Sequence, residues 1–312
     1  MSTLQTPPFP FAGEAAALSA ALIWTVTAIF GDIAVRRVGS LSVNILRLAM
    51  ASAAFCVYGL LVHGQAVPMN LSWHNWSWLF LSGLMGFAVG DLCLFKAFGI
   101  IGPRLAMLMM SLAPLIAAVI SWIALGQRML LMGWIGMAVT LAGVVWVVME
   151  RRTDANGVHR PHPAKGIIIG AIAPAGQAVG IVMTKYGMGD PACDGAAATQ
   201  VRVLAGTAGF LAIMLFTRWH RPTLAALRDG RAMLMIALNT LIGTCLGVTA
   251  QLLSLRYILV GVTSTLSAII PVTILPLAIL VNKERVSARA VIGAFVTVIG
   301  VAMLCLWGEP PR

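Results

Sequence analysis

Charged side chains are scarce in this sequence. Asp, Glu, Lys and Arg together make up 10% of the 312 residues, whereas 60% are hydrophobic and the mean hydropathy is +0.93. Soluble domains carry about 25% charged residues. The composition therefore excludes an ordinary soluble enzyme, a disordered chain and a nucleic-acid-binding module, and it favours an integral membrane protein.

The sequence also lacks the motifs that carry common chemistry. It contains no Walker motif, no GxSxG nucleophile elbow and no HExxH zinc motif. Most of the five cysteines lie in apolar runs, where Cys is a small hydrophobic residue. The local pair His159 and His162 has no Cys or carboxylate at zinc spacing. We expect no enzyme activity, no metal site and no cofactor.

Lys and Arg are absent from residues 1–13, which contain three prolines. A secretory signal would begin with basic residues. We therefore interpret the first apolar run, 15–31, as a permanent membrane span.

The few charges divide the chain into long uncharged runs, the longest between Arg47 and Asp91. A transmembrane helix needs about 20 mostly apolar residues. Split at turn-like residues, the runs predict an all-α integral membrane protein with ten transmembrane helices and short connections. The predicted spans are 14–35, 42–63, 75–97, 103–124, 130–149, 165–185, 196–217, 232–255, 257–281 and 287–307.

A shift of 157 residues aligns the second half of the chain with the first, without a gap over about 60 residues. The two halves are therefore interpreted as five-helix repeats, 14–149 and 165–307, joined by a linker over 150–164. The aligned pairs include Gly86 and Gly243, Gly90 and Gly247, Pro114 and Pro271, Arg128 and Arg285, Gly136 and Gly293, and Gly143 and Gly300.

Because five is an odd number of spans, the second repeat must enter the membrane from the opposite side. The loop charges agree: the loop after the second span has no Lys or Arg, whereas its counterpart carries four arginines between Arg218 and Arg231. Most basic residues lie in the odd-numbered loops, which should face the cytoplasm. We predict a multi-pass protein of a bacterial-type inner (plasma) membrane, with a cytoplasmic linker and both termini periplasmic or extracellular.

The order of several residues resembles a known family. Gly90-Asp91, Phe95, Ala97, Gly102 and Pro114 are followed by Leu125-Gly126-Gln127-Arg128, and Lys283-Glu284-Arg285 repeats the last motif in the second half. This pattern resembles the drug/metabolite transporter superfamily, and specifically its EamA-type exporters. The family usually has Glu where this chain has Gln127.

The resemblance implies a basket-like bundle in two inverted repeats around a central cavity. In the family, helices one, three, four, six, eight and nine line that cavity, and helices five and ten are peripheral. Members export amino acids, drugs and metabolites or move nucleotide sugars.

Asp91 is the only carboxylate well inside a predicted span, and a lone charge there needs a partner or a role. Arg47 is its expected partner in a structural or gating ion pair. A proton-coupling role and a snorkelling position near the interface are the alternatives. The second repeat has Val248 in place of Asp91, and it retains Arg202 without an evident acidic partner.

Pro114 and Pro271 occupy equivalent positions near the middles of the fourth and ninth predicted spans. Proline removes a backbone donor and kinks a helix. The pair therefore predicts a shared hinge or a site at the cavity, the alternative being a tolerated packing kink.

Other polar residues inside the spans are candidates for the substrate cavity. Trp24 offers a stacking surface, whereas Gln177 and Asn239 offer hydrogen bonds to a carboxylate or amine. The alternative for each is helix packing or hydrogen bonding between helices. The full candidate set is Trp24, Asp91, Ser111, Gln177, Asn239, Thr244, Gln251 and Ser267.

These features predict a secondary transporter that exports aromatic or other neutral amino acids, or similar small metabolites, by alternating access. Its partners would be a neutral or zwitterionic solute and the lipid bilayer, not nucleic acid. The four-helix multidrug relatives implied by the resemblance bind cations and protons with a Glu at the centre of the first span, whereas the centre here, Trp24 to Thr27, has none. Sugar-phosphate relatives need deep Lys or Arg for phosphate, and helices four and nine have none at their centres. The alternatives are a multidrug or biocide exporter and a non-transporting membrane scaffold.

Overall fold

The computed structural model describes residues 8–94, 96–97, 100, 109–110, 112–149, 164–189, 193–267, 269–270, 272–273 and 288–307. In these ranges the regular secondary structure is helical, and no strand occurs among them. The linker predicted at 150–164 lies outside the described residues apart from Ala164. The boundaries predicted for the two repeats therefore stay a prediction.

The described helices follow the predicted spans closely. A short helix, His220–Ala226, which the sequence analysis does not predict, lies in the connection between the seventh and eighth helices. The main helices are α1 Ala12–Val38, α2 Ser40–His63, α3 Trp73–Leu94, α4 Ala113–Leu125, α5 Leu131–Met149, α6 Ala164–Gly187, α7 Gly195–Thr217, α8 Gly230–Tyr257, α9 Val260–Ser267 and α10 Ala288–Trp307.

Six of these helices are long and apolar enough to cross a membrane by length and composition: α1, α2, α3, α6, α7 and α8. Shorter apolar helices occur at Ala113–Leu125, Leu131–Trp146 and Val291–Met303. The all-helical membrane architecture is confirmed. The predicted spans 103–124 and 257–281 are described only in part, so the count of ten stays a prediction.

The third helix of each half begins with a side-chain cap at the same repeat position. The Ser72 hydroxyl accepts from the Asn75 amide at 3.2 Å, and the Asn75 side chain accepts from the Ser72 amide at 3.1 Å. At the start of α8, the Asp229 carboxylate accepts from the Ala232 amide at 3.0 Å. A shift of 157 residues aligns Ser72 with Asp229. Each cap satisfies amides that have no partner within the first turn.

The first helices of the two halves, α1 and α6, run in opposite directions. A Cβ at Gly13, at the start of α1, would lie only 2.7 Å from Ile258 Cγ2, just beyond the end of α8. At the same end of α8, the Lys185 ammonium near the end of α6 donates to the Leu255 carbonyl. The start of α1 and the end of α6 therefore share one end of the bundle, as inverted repeats require.

Helices α5 and α10 pack against each other through equivalent residues. A Cβ at Gly143 would lie 2.8 Å from the Gly293 carbonyl oxygen, and a Cβ at Gly300 would lie 2.8 Å from the Gly136 carbonyl oxygen. Along this contact the residue number falls in α5 as it rises in α10, so the helices are antiparallel. The small residues allow the two backbones to approach closely within one chain.

The Gln127 side chain connects the end of α4 to the start of α9. Its Oε1 accepts from the Val260 backbone amide at 3.1 Å. Amides in the first turn of a helix lack an intrahelical partner, so this side chain acts as a cap from outside the helix. The Gln therefore provides an acceptor at the place where the resembling family usually has Glu.

Pro114 does not lie in the middle of a helix in the described structure. Helix α4 begins at Ala113, and Pro114 is buried in its first turn. Proline costs no helical hydrogen bond at that position, because the first amides of a helix have no partner within it. Pro114 therefore lies in the first turn of a described helix and not at its middle; the hinge or kink predicted at Pro114 stays a prediction, and Pro271 lies outside the described residues.

We predict that Gly143→Val lowers the melting temperature of the purified protein in detergent. The added Cβ would meet the Thr297 backbone nitrogen at 2.7 Å, and overpacking of this kind costs about 1–3 kcal/mol. Ala142→Val is the matched control, because Ala142 is the exposed neighbour on the same helix. Equal melting temperatures for the two variants would contradict the close α5–α10 packing.

Candidate functional site

Helices α3 and α8 each contain a π-helical segment at an equivalent position. The segments are Leu84–Asp91 and Asn239–Gly247, and a shift of 157 residues makes them overlap. A π-helical turn is wider than an α-helical one and occurs frequently at functional sites. The second half of the chain thus repeats an irregularity of the first, and not only its sequence.

A side chain from the other half donates to a backbone carbonyl in each π segment. The Trp24 indole nitrogen on α1 donates to the Gly243 carbonyl at 3.0 Å. The Gln177 amide nitrogen on α6 donates to the Gly86 carbonyl at 3.1 Å. Gly86 and Gly243 are equivalent glycines of the repeat. Trp24 and Gln177, which are predicted near the centres of equivalent helices, therefore donate to equivalent carbonyls.

A second pair of hydrogen bonds runs in the reverse direction. The Asn239 side chain on α8 donates to the Thr27 carbonyl of α1 at 2.8 Å. The Ser82 hydroxyl on α3 donates to the Gly180 carbonyl of α6 at 2.8 Å. Ser82 and Asn239 are again 157 residues apart. We call the α1–α8 contact the first seam and the α3–α6 contact the second seam, since each joins one half to the other.

Glycines bring the helices of each seam close together. A Cβ at Gly247 would lie 2.7 Å from the Trp24 indole nitrogen, and a Cβ at Gly90 would lie 3.1 Å from the Gln177 amide nitrogen. Larger residues would push these donors away from their carbonyls. The glycine pair that marks the repeat in the sequence therefore has a packing role in the structure.

Asp91, at the end of the first π segment, is buried and has two partners. An Nη atom of Arg47 lies 2.6 Å from Oδ2 of Asp91. The Gln177 amide nitrogen donates to Oδ1 at 2.7 Å. Arg47 also donates to the Asn44 side chain at 2.9 Å. The carboxylate thus joins α2, α3 and α6, with its Coulomb attraction and hydrogen bonds offsetting the cost of burial.

Arg202, the counterpart of Arg47, is more deeply buried and is only 4% exposed. Its guanidinium carbon lies 5.3 Å from the centre of the Phe87 ring, a cation–π distance. A Cβ at Gly86 would lie 3.0 Å from its Nη2. The Nε atom is buried and has no hydrogen-bond partner among the described residues.

Each seam also has a polar contact at one end. Arg37 and Asp229 form an exposed ion pair of 2.8 Å at the end of the first seam. Accepting from the Ala232 amide and from Arg37 lowers the pKa of Asp229, so the carboxylate remains charged at neutral pH. In the second seam, the Asn75 side chain donates to the Gly187 carbonyl at 2.7 Å. Because α1 and α6 are antiparallel, these contacts lie at opposite ends of the bundle.

The other predicted site residues lie apart from the Asp91 cluster or outside the description. The Gln251 amide nitrogen donates to the Ser267 hydroxyl at 3.3 Å, which joins α8 to α9. Thr244 is buried within the second π segment. Ser111 lies outside the described residues, as does Pro271.

Sequence reasoning missed Ser82 as a site residue, and it left Arg202 without a role. The 157-residue alignment of Ser82 with Asn239 is the signal that would have found the first. The backbone carbonyls of Gly86, Gly243, Thr27 and Gly180 had no such signal, because the sequence does not show which carbonyls leave the α-helical pattern.

Comparison with known proteins places these features in a family. A model of the EamA-like transporter family matches residues 11–149 and 164–306. The fold is similar to that of a solved crystal structure, described only as that of a protein, with a TM-score of 0.73 and 18% sequence identity. The alignment covers 95% of this chain and 96% of that chain. No curated protein matches the sequence.

We predict that Asp91→Asn destabilises the protein more than the double variant Arg47→Gln/Asp91→Asn does. The single change leaves the Arg47 charge buried without its counter-charge, at a cost of about 3–5 kcal/mol. Thermal unfolding in detergent measures both variants. The exposed pair is the control: Asp229→Asn and Arg37→Gln/Asp229→Asn should both melt close to wild type. A double variant that is no more stable than Asp91→Asn alone would contradict a coupled pair.

Proposed function

The chain belongs to the EamA-like transporter family, and from that premise we propose that it is a secondary transporter, without a chemical step, that exports neutral amino acids or similar small metabolites. It would act by alternating access in a bacterial-type inner membrane, with both termini on the periplasmic side. Transport would run down the solute gradient.

One observation carries the proposal: the two inverted halves meet in two equivalent seams, each built on a π segment and hydrogen bonds between halves. Irregular backbone inside a membrane is tolerated where it is buried in protein or lines a cavity. Transporters built from inverted repeats bind their solutes at the repeat interface, beside helices that depart from the α-helical pattern. The Trp24 and Gln177 contacts have this character.

The seams also suggest how access alternates. The Arg37–Asp229 pair closes one end of the first seam, and the Asn75–Gly187 contact closes the opposite end of the second. Opening one seam while the other stays closed would expose the region between the halves to one side only. Rocking of one repeat against the other is the expected motion of such proteins.

The polar groups of the seams favour a neutral or zwitterionic solute. Trp24 is half-buried, and its indole would offer a stacking surface to an apolar or aromatic side chain of the solute. Asp91 and Arg47 neutralise each other at 2.6 Å. Gln177 and Asn239 add uncharged amide groups to this region.

We predict efflux of labelled neutral amino acids from proteoliposomes that contain the purified chain. Trp24→Ala should slow efflux about fivefold or more, since it removes a hydrogen bond worth about 1 kcal/mol together with the ring. Trp24→Phe keeps a ring but removes the N–H, which separates the two contributions. Trp122→Ala is the matched control, because Trp122 is 53% exposed on α4.

Each outcome of the flux assay has a defined meaning. Failure to transport any neutral amino acid would contradict the proposal. Strict dependence on a pH gradient would contradict only the part of it that has transport run down the solute gradient. Growth protection against cationic dyes that is lost in Trp24→Ala would instead favour a multidrug exporter. Equal rates for Trp24→Ala and Trp122→Ala would remove the first seam from the mechanism.

A further inference from the structure

The Arg202 guanidinium is a buried cation for which the described part of the chain provides no direct partner. The residue is 4% exposed, and its Nε has no hydrogen bond. One face of the group lies over the Phe87 ring at 5.3 Å. A guanidinium that is buried without hydrogen bonds, and that shares its nearest carboxylate with another arginine, is unfavourable, so a role that repays the burial is expected.

The nearest carboxylate, that of Asp91, already has a hydrogen-bond partner on each oxygen. Asp91 accepts from Arg47 through one oxygen at 2.6 Å and from Gln177 through the other at 2.7 Å. The other carboxylates whose side chains the structure describes are Glu14, Asp194 and Asp229, and all three lie at the starts of helices. Two arginines thus share one carboxylate, which leaves one positive charge in excess among the described side chains of this region.

The repeat shows which group is missing. Arg47 and Arg202 are equivalent residues, but the position of Asp91 is occupied by Val248 in the second half. Arg47 therefore pairs with a carboxylate of the protein, whereas Arg202 does not. A guanidinium forms two parallel hydrogen bonds with a carboxylate, so a carboxylate from a ligand would supply what the second half lacks.

An acceptor group lies beside this cation. The Gln177 amide nitrogen uses its donors on the Gly86 carbonyl and Asp91, which leaves Oε1 as the free end of that side chain. A Cβ at Gly86 would lie 3.0 Å from Arg202 Nη2 and 3.7 Å from Gln177 Oε1. The cation and the acceptor therefore flank the same glycine, where any side chain would crowd the guanidinium.

We propose that Arg202 binds the carboxylate of the transported solute over Gly86, while Gln177 Oε1 accepts from its ammonium group. The site thus selects zwitterionic α-amino acids over amines, amides and cationic drugs. This inference rests on the proposed function and deepens it, because it names the charged group by which the solute is held.

The test measures binding to the purified full-length chain in detergent by thermal shift. The probes are L-leucine, L-methionine, L-threonine and L-phenylalanine, together with L-leucinamide and L-phenylalaninamide, which keep the side chain and ammonium but lack the carboxylate. At least one free amino acid should stabilise the wild type, with an affinity at least tenfold higher than that of its amide. Arg202→Met should weaken that binding at least tenfold, and Arg202→Lys should weaken it less.

Two further measurements separate a binding role from a structural one. Without ligand, Arg202→Met should melt at or above the wild-type temperature, because it removes an uncompensated buried charge. Arg221→Met, on the exposed short helix between α7 and α8, is the matched control and should bind as the wild type does. A lower melting temperature of unliganded Arg202→Met would instead assign the arginine a structural role and overturn the proposal.

Other results would also overturn it: equal binding of acid and amide, unchanged binding by Arg202→Met, or no shift with any of the four amino acids. Flux in proteoliposomes distinguishes this failure from failure of the proposed function. Transport that is equal for acid and amide would retain the transporter and reject the Arg202 site. Binding that depends on the carboxylate without any flux would retain the site and reject the transporter.

Discussion

A backbone carbonyl that leaves the α-helical pattern inside a membrane must find its hydrogen-bond donor in the protein, because the hydrocarbon offers none. Much of the architecture follows from that constraint. Each π segment presents a glycine carbonyl, and a side chain from the opposite half supplies the donor: Trp24 to Gly243, and Gln177 to Gly86. The donors reach their acceptors only if the halves face each other with opposite orientation.

The same constraint limits how the seams can open. Separating α1 from α8 would leave the Gly243 and Thr27 carbonyls, with the Trp24 and Asn239 donors, without partners. In an apolar surrounding this would cost about 2–7 kcal/mol for each group. Water or a polar solute must therefore enter as the helices part, so that these groups form hydrogen bonds with it. The closed contacts are consequently also the places where a solute with matching polar groups can substitute for the protein.

Most of the helices can be predicted from the sequence, because the long uncharged runs mark the segments that are apolar and long enough to cross a bilayer. The predicted spans 42–63 and 196–217 nearly coincide with α2 and α7. The 157-residue shift also predicted the repeat. It could not reveal the π segments, since a single widened turn barely alters the spacing of apolar residues. Nor could it place Pro114, because a proline alone does not distinguish a kink inside a helix from the first turn of a new one.

For the candidate site, the sequence supplied the residues but not their partners. Asp91 and Arg47 were expected to meet because both are charged at similar depth. The hydrogen bonds of Gln177 and Asn239 to carbonyls of the other half depend on how each helix is rotated about its own axis. The loosely spaced glycine motifs do not specify that rotation. The sequence shows Arg202 only as an arginine without an acidic partner. Its contacts with Gly86 and Phe87 depend on how the helices pack, which the sequence does not show.

The α5–α10 contact has a consequence for how such a chain can arise and diverge. Its two glycine contacts are repeat equivalents of each other: Gly143 lies against Gly293, the counterpart of Gly136, and Gly300, the counterpart of Gly143, lies against Gly136. This is the geometry of a symmetric dimer. Two identical half-length chains in opposite orientations would satisfy it equally well. Such a pair, however, would carry either two copies of Asp91 or none. In one chain that joins the two halves, each half can diverge, so the first keeps the acid at Asp91 while the second has Val248 in its place.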